Sequence, residues 1–329
     1  MSPPDVTPEA QAESVARASY GRLLAILAAP TGDIPSAEDA LSDAFVRALT
    51  TWPTTGIPDN PDAWLLTVAR NRQRDHYRSA AQRTSVPLDA AERTRNRLSM
   101  ADYPTDDPGI SPDIDIEDLE AIPDKRLALL FVCAHPAIEA GIRTPLMLQT
   151  VLGFESAQIA QAFAIPAPAM AQRLVRAKQR IRDARIPFSV PDLTDMPGRL
   201  PAVLEAIYGC YAIDWQLTSG ETVRDSLSAE ALYLATLLAD LLPTEPEVLG
   251  LAALLCLSMS RTDARSSGPN RATFVPLHQQ DPTRWNPALI TRGEEYLRRA
   301  HPFGRIGRFQ LEAALQSVHC ARARTGETD

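Results

Sequence analysis

Gln172, Arg173, Arg176 and Arg180 recur at helical spacing. Their amides and guanidiniums are the groups that pair with base edges and neutralise phosphates. On the other side of the same stretch Met170, Leu174, Ala177 and Ile181 fall at i, i+4, i+7 and i+11, an apolar stripe that a helix buries. Just upstream, Ile159, Ala160 and Phe163 share a helical spacing, and Ala164-Ile165-Pro166 breaks it. Residues 155–185 therefore read as two short helices joined by a tight turn, a shape that can set a helix into a major groove. A basic amphipathic helix is also commonly a solvated face, so the segment alone leaves both readings open.

A second polar arc lies upstream. Asn60-Pro61 is a helix start, an asparagine cap followed by proline at the first helical position. In the helix it opens, Trp64, Leu65, Val68 and Ala69 share one side, while Thr67, Arg70, Asn71, Arg74 and Arg78 share the other. Asn71 suits a base or sugar, and the arginines suit phosphates. Trp64 could stack on an unpaired base, but its place on the apolar side favours the core. Before it, Ser36-Ala-Glu-Asp39 reads as a capping box with Ser36 as the cap. The helix it starts has Ala40, Leu41, Ala44, Phe45, Ala48 and Leu49 on its buried side and Asp39, Ser42, Asp43 and Val46 outward, with a loop from Trp52 to Pro58.

Composition frames these pieces. The chain has 329 residues, 45% of them hydrophobic, with 15 glycines and 28 prolines, which points to an all-α protein punctuated by proline. The net charge of −8 looks wrong for a nucleic-acid binder, but its distribution matters more than its sum. Arg70, Arg72, Arg74, Arg78 and Arg83 form one basic island, and Arg173 to Arg185 forms another. Between them Asp102 to Glu120 is acidic without a basic residue, the pattern of a solvated tether. Cys133, Cys210, Cys256 and Cys320 lie far apart with no C-x-x-C pair, which argues against a zinc site or disulfide framework and for reduced thiols. No apolar run reaches membrane-spanning length and the first residues lack a signal pattern, so a cytoplasmic location without membrane contact is expected.

Catalytic readings do poorly. His76, His135, His278, His301 and His319 are scattered, and no phosphate-binding glycine loop occurs. Asp106-Asp107 is flanked by Pro104 and Pro108 and has no second acidic motif on a helix. Cys133-Ala134-His135 sits in an apolar run and reads as core. Neither enzyme activity, nor a cofactor, nor a metal site is expected.

SAEDALSDAFVRAL followed by NPDAWLLTVARNRQRDHYR resembles region 2 of extracytoplasmic-function (ECF) sigma factors. FESAQIAQAFAIPAPAMAQRLVRAKQRIRD resembles their region 4. RLPAVLEAIYGCY, LLADLLPTEPEVLGLAALL, DPTRWN and GRFQLEAALQSVHC resemble the long-tailed subgroup, whose helical extension is described as tetratricopeptide-like. The resemblance implies docking of Asp39, Ser42, Asp43 and Val46 on the clamp coiled coil of core RNA polymerase, with region 4 on its flap. It implies −10 promoter recognition by Thr67, Arg70, Asn71, Arg74 and Arg78, and −35 recognition by Gln172, Arg173, Arg176 and Arg180. The implied domains are 1–83 for region 2, 84–122 for an acidic linker, 123–187 for the region 4 helix-turn-helix and 188–329 for the extension.

The chain departs from that pattern in places. Ser42 stands where a glutamine is common, Glu155 replaces a threonine cap so that Ser156 must serve, and Ala167-Pro168-Ala169 opens the basic helix. In the tail, Asp214, Arg261, Asp281, Arg284 and Trp285 remain as a possible pocket, or else as ordinary caps and ion pairs between helices. Tail helices are expected over Leu200–Tyr211, Ser228–Leu242, Glu245–Met259, Pro287–Ala300 and Phe309–Arg322, with a loop over Arg265–Asn270. The tail's expected ligand is the chain's own modules or the polymerase. Two other readings stand beside an initiating sigma factor. One is a sigma-derived regulator that binds DNA or core without initiating; the other is a helical interaction scaffold.

Overall fold

Alternation of apolar helical stripes with proline- and glycine-marked breaks builds the whole described chain. The computed structural model describes residues 19–84, 122–192, 194–216, 221–267 and 273–325. It divides into two compact units, residues 1–122 and 123–329.

In the first unit a helix over residues 19–28 (α1) is followed by α2 (Ile34–Thr55) and α3 (Pro61–Thr84). Leu23 through Ala28 are all buried, so α1 presents an almost entirely apolar surface to its neighbours. Gly32 takes φ 66°, the left-handed conformation that turns the chain sharply into α2. The cap of α2 is Asp33, whose carboxylate accepts from the Ser36 N–H at 3.2 Å, rather than Ser36 itself. Pro35, with φ already fixed near the helical value, lets the helix begin earlier than the serine signal suggests. At its other end α2 continues through Pro53 to Thr55, where a loop is expected. Buried Trp52 pins that last turn, and the Thr54 and Thr55 hydroxyls donate to the Thr51 carbonyl at 2.8 and 3.0 Å. Ala37, Ala40, Leu41, Ala44, Ala48 and Trp52 of α2 meet Leu65, Leu66 and Ala69 of α3. Leu49 lies outside this set and is exposed, because one residue past Ala48 is about 100° round the helix. Asn60 caps α3 as expected, its side chain accepting from the Ala63 N–H at 3.0 Å.

The second unit opens with α4 (Ile122–Cys133), α5 (Ala140–Thr150), α6 (Ser156–Ala162) and α7 (Ala167–Asp183). Leu127 to Ala134 are buried without interruption. Glu155, not Ser156, holds the cap position of α6, and the Gln158 side chain accepts from its N–H at 2.9 Å. Phe163 falls just after the last turn of α6 and is exposed, since the helical spacing ends with Ala162. Ala164 then takes φ 52°, a conformation that costs a side-chain-bearing residue about 1–2 kcal/mol. The burial of Ile159, Ala160, Met170, Leu174, Ala177 and Ile181 in the α6–α7 pair follows from the stripe legible in the sequence.

The tail contributes α8 (Met196–Gln216), α9 (Glu221–Leu241), α10 (Pro246–Met259), α11 (Pro287–Ala300) and α12 (Arg308–Thr325). The first two start earlier than their apolar spacing suggests. Within this unit α8 packs on α5, with Gly209 facing Leu148. Helix α10 is the hub, flanked by α9, α11 and α12, and twelve of its residues are buried. Close approach explains two glycines. A Cβ on Gly250 would stand 2.7 Å from the Gln310 backbone nitrogen, and one on Gly293 would stand 2.6 Å from Leu257 Cγ. The expected loop at Arg265–Asn270 begins differently: Ser266–Ser267 pair antiparallel with Thr273–Phe274 in a two-residue ladder, the only strands among the described residues. No helix among the described residues is long and apolar enough to cross a membrane.

Candidate nucleic-acid interface

On α2 the exposed residues Asp39, Ser42, Asp43 and Val46 fall at i, i+3, i+4 and i+7, one continuous outer face. Val46 and the misjudged Leu49 add two solvent-facing apolar side chains to it, 62% and 44% exposed. A face with acids toward one end and exposed apolar residues toward the other offers both charge and apolar contact to a protein partner. Asp43 is ion-paired with Arg72 of α3 at 2.6 Å.

On α3 the predicted arc is brought together. Thr67 and Arg70 are half-buried, and Asn71, Arg74 and Arg78 are exposed. Arg74 Nη1 donates to Asn71 Oδ1 at 3.3 Å, so the amide and the guanidinium are held side by side. The Thr67 hydroxyl is turned back on the helix, donating to the Ala63 carbonyl at 2.9 Å. Trp64 is half-buried against Trp52, ring centroids 5.5 Å apart and edge-on, which gives it a packing role.

On α7 the structure separates the predicted residues into two groups. Gln172 and Arg176 are exposed, Arg176 also bordering the groove described below, and on the open side stand Val175 and Gln179, both exposed and both missed from the sequence. Counting from Gln172 by three and by seven would have found them. Arg173 and Arg180 lie on the flank instead, turned toward the segment that joins α4 to α5. Arg173 pairs with Glu139 at 3.2 Å, and Arg180 Nε donates to the Ala137 carbonyl at 3.5 Å. Arg143 holds the same segment from α5, donating to the carbonyls of Ile138 at 2.9 Å and Pro136 at 3.3 Å. A groove of about 430 Å³ runs between this segment and α7.

His135 sits in that segment, its Nδ1 accepting from the Ala137 N–H at 3.1 Å. Burial lowers its pKa from the ordinary 6.5, Arg199 and Arg143 lower it further, and Asp195 opposes them. The folded protein thus disfavours the imidazolium, and the unfolded chain binds the proton more readily. Stability from neutral His135 is complete above about pH 6.5 and is lost as pH falls toward the folded-state value. The melting temperature should therefore hold above the ordinary imidazole value of about 6.5 and drop as pH falls below it, and His135→Gln should flatten that dependence. Identical pH profiles for the two proteins would exclude the assignment.

The tail residues meet around the turn Thr262–Ala264 as fasteners. Arg261 is buried and donates to Gln316 Oε1, Arg284 donates to the Asp263 carbonyl, and the Asn286 N–H beside buried Trp285 donates to the Ser260 carbonyl at 2.7 Å. Asp281 is exposed and accepts from the Thr283 N–H and hydroxyl at 2.9 and 2.7 Å, which holds its carboxyl below the usual range. Asp214 belongs to α8, but its side chain lies outside the described residues. So do Arg83 and the acidic tether, whose reading rests on sequence alone. Cys133, Cys210, Cys256 and Cys320 are buried, and burial pushes the Cys256 thiol up to about 11. Among the described residues no three His, Cys, Asp or Glu gather as a metal site.

Residues 15–83 match the sigma-70 region 2 family, and residues 199–301 match a family of unknown function, DUF6596. An uncharacterized protein of Rhizobium meliloti (strain 1021) is 37% identical over 302 residues, 89% of this chain and 66% of that protein. A probable ECF RNA polymerase sigma factor, SigI, of Mycobacterium tuberculosis (strain ATCC 25618 / H37Rv) is 30% identical over 160 residues, 48% of this chain and 50% of the relative. The chain thus spans less than two thirds of the length of either relative. No solved structure matches it. Residues 15–83 are thus similar to sigma-70 region 2, in a chain distantly similar over about half its length to an ECF sigma factor and carrying a helical extension that matches DUF6596.

Proposed function

We propose that this chain is a sigma factor of the cytoplasm that binds core RNA polymerase and directs promoter-specific initiation, with a tail that regulates it. The observation that carries the reading is the pairing of two unlike faces in the region 2 unit. The acidic and apolar outer face of α2 suits the polymerase clamp. The arc Thr67, Arg70, Asn71, Arg74 and Arg78 of α3 suits unpaired −10 bases and their phosphates. Region 4, over residues 123–187, reads the −35 element through Gln172, Arg173, Arg176 and Arg180 and contacts the flap. The linker is residues 84–122, and the extension begins at 188. Strand separation needs no covalent chemistry from such a protein, which traps bases and offsets phosphate repulsion while the polymerase catalyses. Of the set Asp214, Arg261, Asp281, Arg284 and Trp285, Arg261, Arg284 and Trp285 enter as groups that hold the tail's fold.

Run-off transcription on fragmented genomic DNA, with core polymerase and with or without this protein, tests the reading. New RNA 5′ ends sharing spaced −35 and −10 elements are expected. Their absence, with core binding retained, would favour a regulator that no longer initiates, a reading to which the short Ser42 side chain and the Asp43–Arg72 pair lend support. Neither new starts nor core binding would leave a helical scaffold. Arg74→Ala should lower open-complex formation by roughly tenfold, the order of one lost phosphate or base contact, with core binding unchanged. Loss of core binding instead would mean that the two faces have exchanged roles.

A further inference from the structure

Glu139 is the one carboxylate on the groove beside α7, in a wall otherwise made of arginine and apolar side chains. Its pairing with Arg173 leaves the acid 75% exposed and the guanidinium 28% exposed. Such a solvent-facing pair is weakly held and opens readily. Glu139 stands at the cap position of α5 yet makes no side-chain cap hydrogen bond, so its carboxylate is not committed to the helix. The space for the pairing is provided by Gly141, where a Cβ would stand 3.4 Å from Arg173 Nη2. A carboxylate here offers a guanidinium the same pair of oxygen acceptors that a phosphate offers.

We propose that Glu139 is an internal competitor for DNA phosphate on the −35-reading surface, exchanging Arg173 between its own carboxylate and the promoter backbone. The proposal rests on the reading of α7 as the −35 element. In the free protein Arg173 is occupied and the carboxylate repels a nearby phosphate, so nonspecific duplex is held weakly. A well-docked duplex brings a phosphate to Arg173 and displaces the acid. Ala137 acts alongside, its carbonyl giving Arg180 a protein partner on the same segment.

The test uses the full chain, a labelled 30-base-pair duplex of mixed sequence, and fluorescence anisotropy from about 50 mM to about 200 mM salt. Glu139→Gln should bind about three- to tenfold tighter at low salt, and its slope of log affinity against log salt should steepen by about 0.9, one further phosphate. Arg173→Ala alone should change the slope little, and the double variant should lose the gain, as coupled partners require. Unchanged affinity and slope in Glu139→Gln, with binding weakened by Arg176→Ala, would overturn the competitor and leave the −35 reading standing. No effect of either substitution, or no binding at low salt by any variant, would overturn both.

Discussion

Trp52→Ala is expected to destabilise the N-terminal unit by about 3–5 kcal/mol, the loss typical of emptying a buried aromatic site. Trp52 is 1% exposed at the end of α2 and closes the core that α2 makes with α3 through its edge-on contact with Trp64. Stability of a small domain is only about 5–15 kcal/mol, so this variant should lose most of its folded population under mild denaturant. On the proposed function core-polymerase binding should fall with it, while the residues 123–329 unit keeps its own unfolding transition. Trp52→Phe sharpens the prediction. The buried indole N–H meets no acceptor, so phenylalanine removes an unsatisfied donor along with some packed volume. Its cost should be about 1–2 kcal/mol. Urea titrations of the three proteins decide the matter: an alanine variant within about 1 kcal/mol of wild type would mean the core closes without this side chain.

Glu230→Ala should have the second large effect, about 3 kcal/mol on the residues 123–329 unit. Arg126 of α4 is 8% exposed and pairs with Glu230 of α9, and its guanidinium also lies 5.1 Å from the Tyr233 ring centroid. Removing the acid leaves a buried cation without its counter-charge. Glu230 is itself a quarter exposed, so the figure belongs at the lower end of what breaking a buried pair costs. Replacing both partners, Arg126→Met with Glu230→Leu, should restore much of the loss, because apolar substitutes need no desolvation. The pair ties the first helix before the helix-turn-helix to the tail. On the proposed −35 reading, unfolding followed in the presence of DNA should therefore show α7 losing binding when α9 is altered. Retention of full stability in Glu230→Ala would show that this tie is solvated and weak.

Periodicity made the helix-turn-helix legible, since Met170, Leu174, Ala177 and Ile181 alternate cleanly with charged residues. It also placed α11 to the residue, because Asn286 and Pro287 mark the start and the apolar spacing marks the side. Helix ends were less legible where two signals competed. Asp33 won over Ser36 because Pro35 favours an early start, and Pro53 failed to end α2 because Trp52 is anchored in the core. The arc on α3 was readable because it lies on one helix. The division of α7 was not, since the segment that captures Arg173 and Arg180 arrives from more than thirty residues earlier and carries only one charged group, Glu139. No local pattern announces such a contact; it depends on how α4 and α5 are joined.

Helix α10 has a consequence in time. Its apolar residues find cover largely from α11 and α12, which lie downstream of it. A growing chain releases Met259 well before Thr325. At about 5–20 residues per second the intervening stretch takes roughly 3–13 s to make. For that interval a helix with twelve residues destined for burial stands partly uncovered on the ribosome. Helix α12 is thus both a structural strut and the event that covers α10 during synthesis.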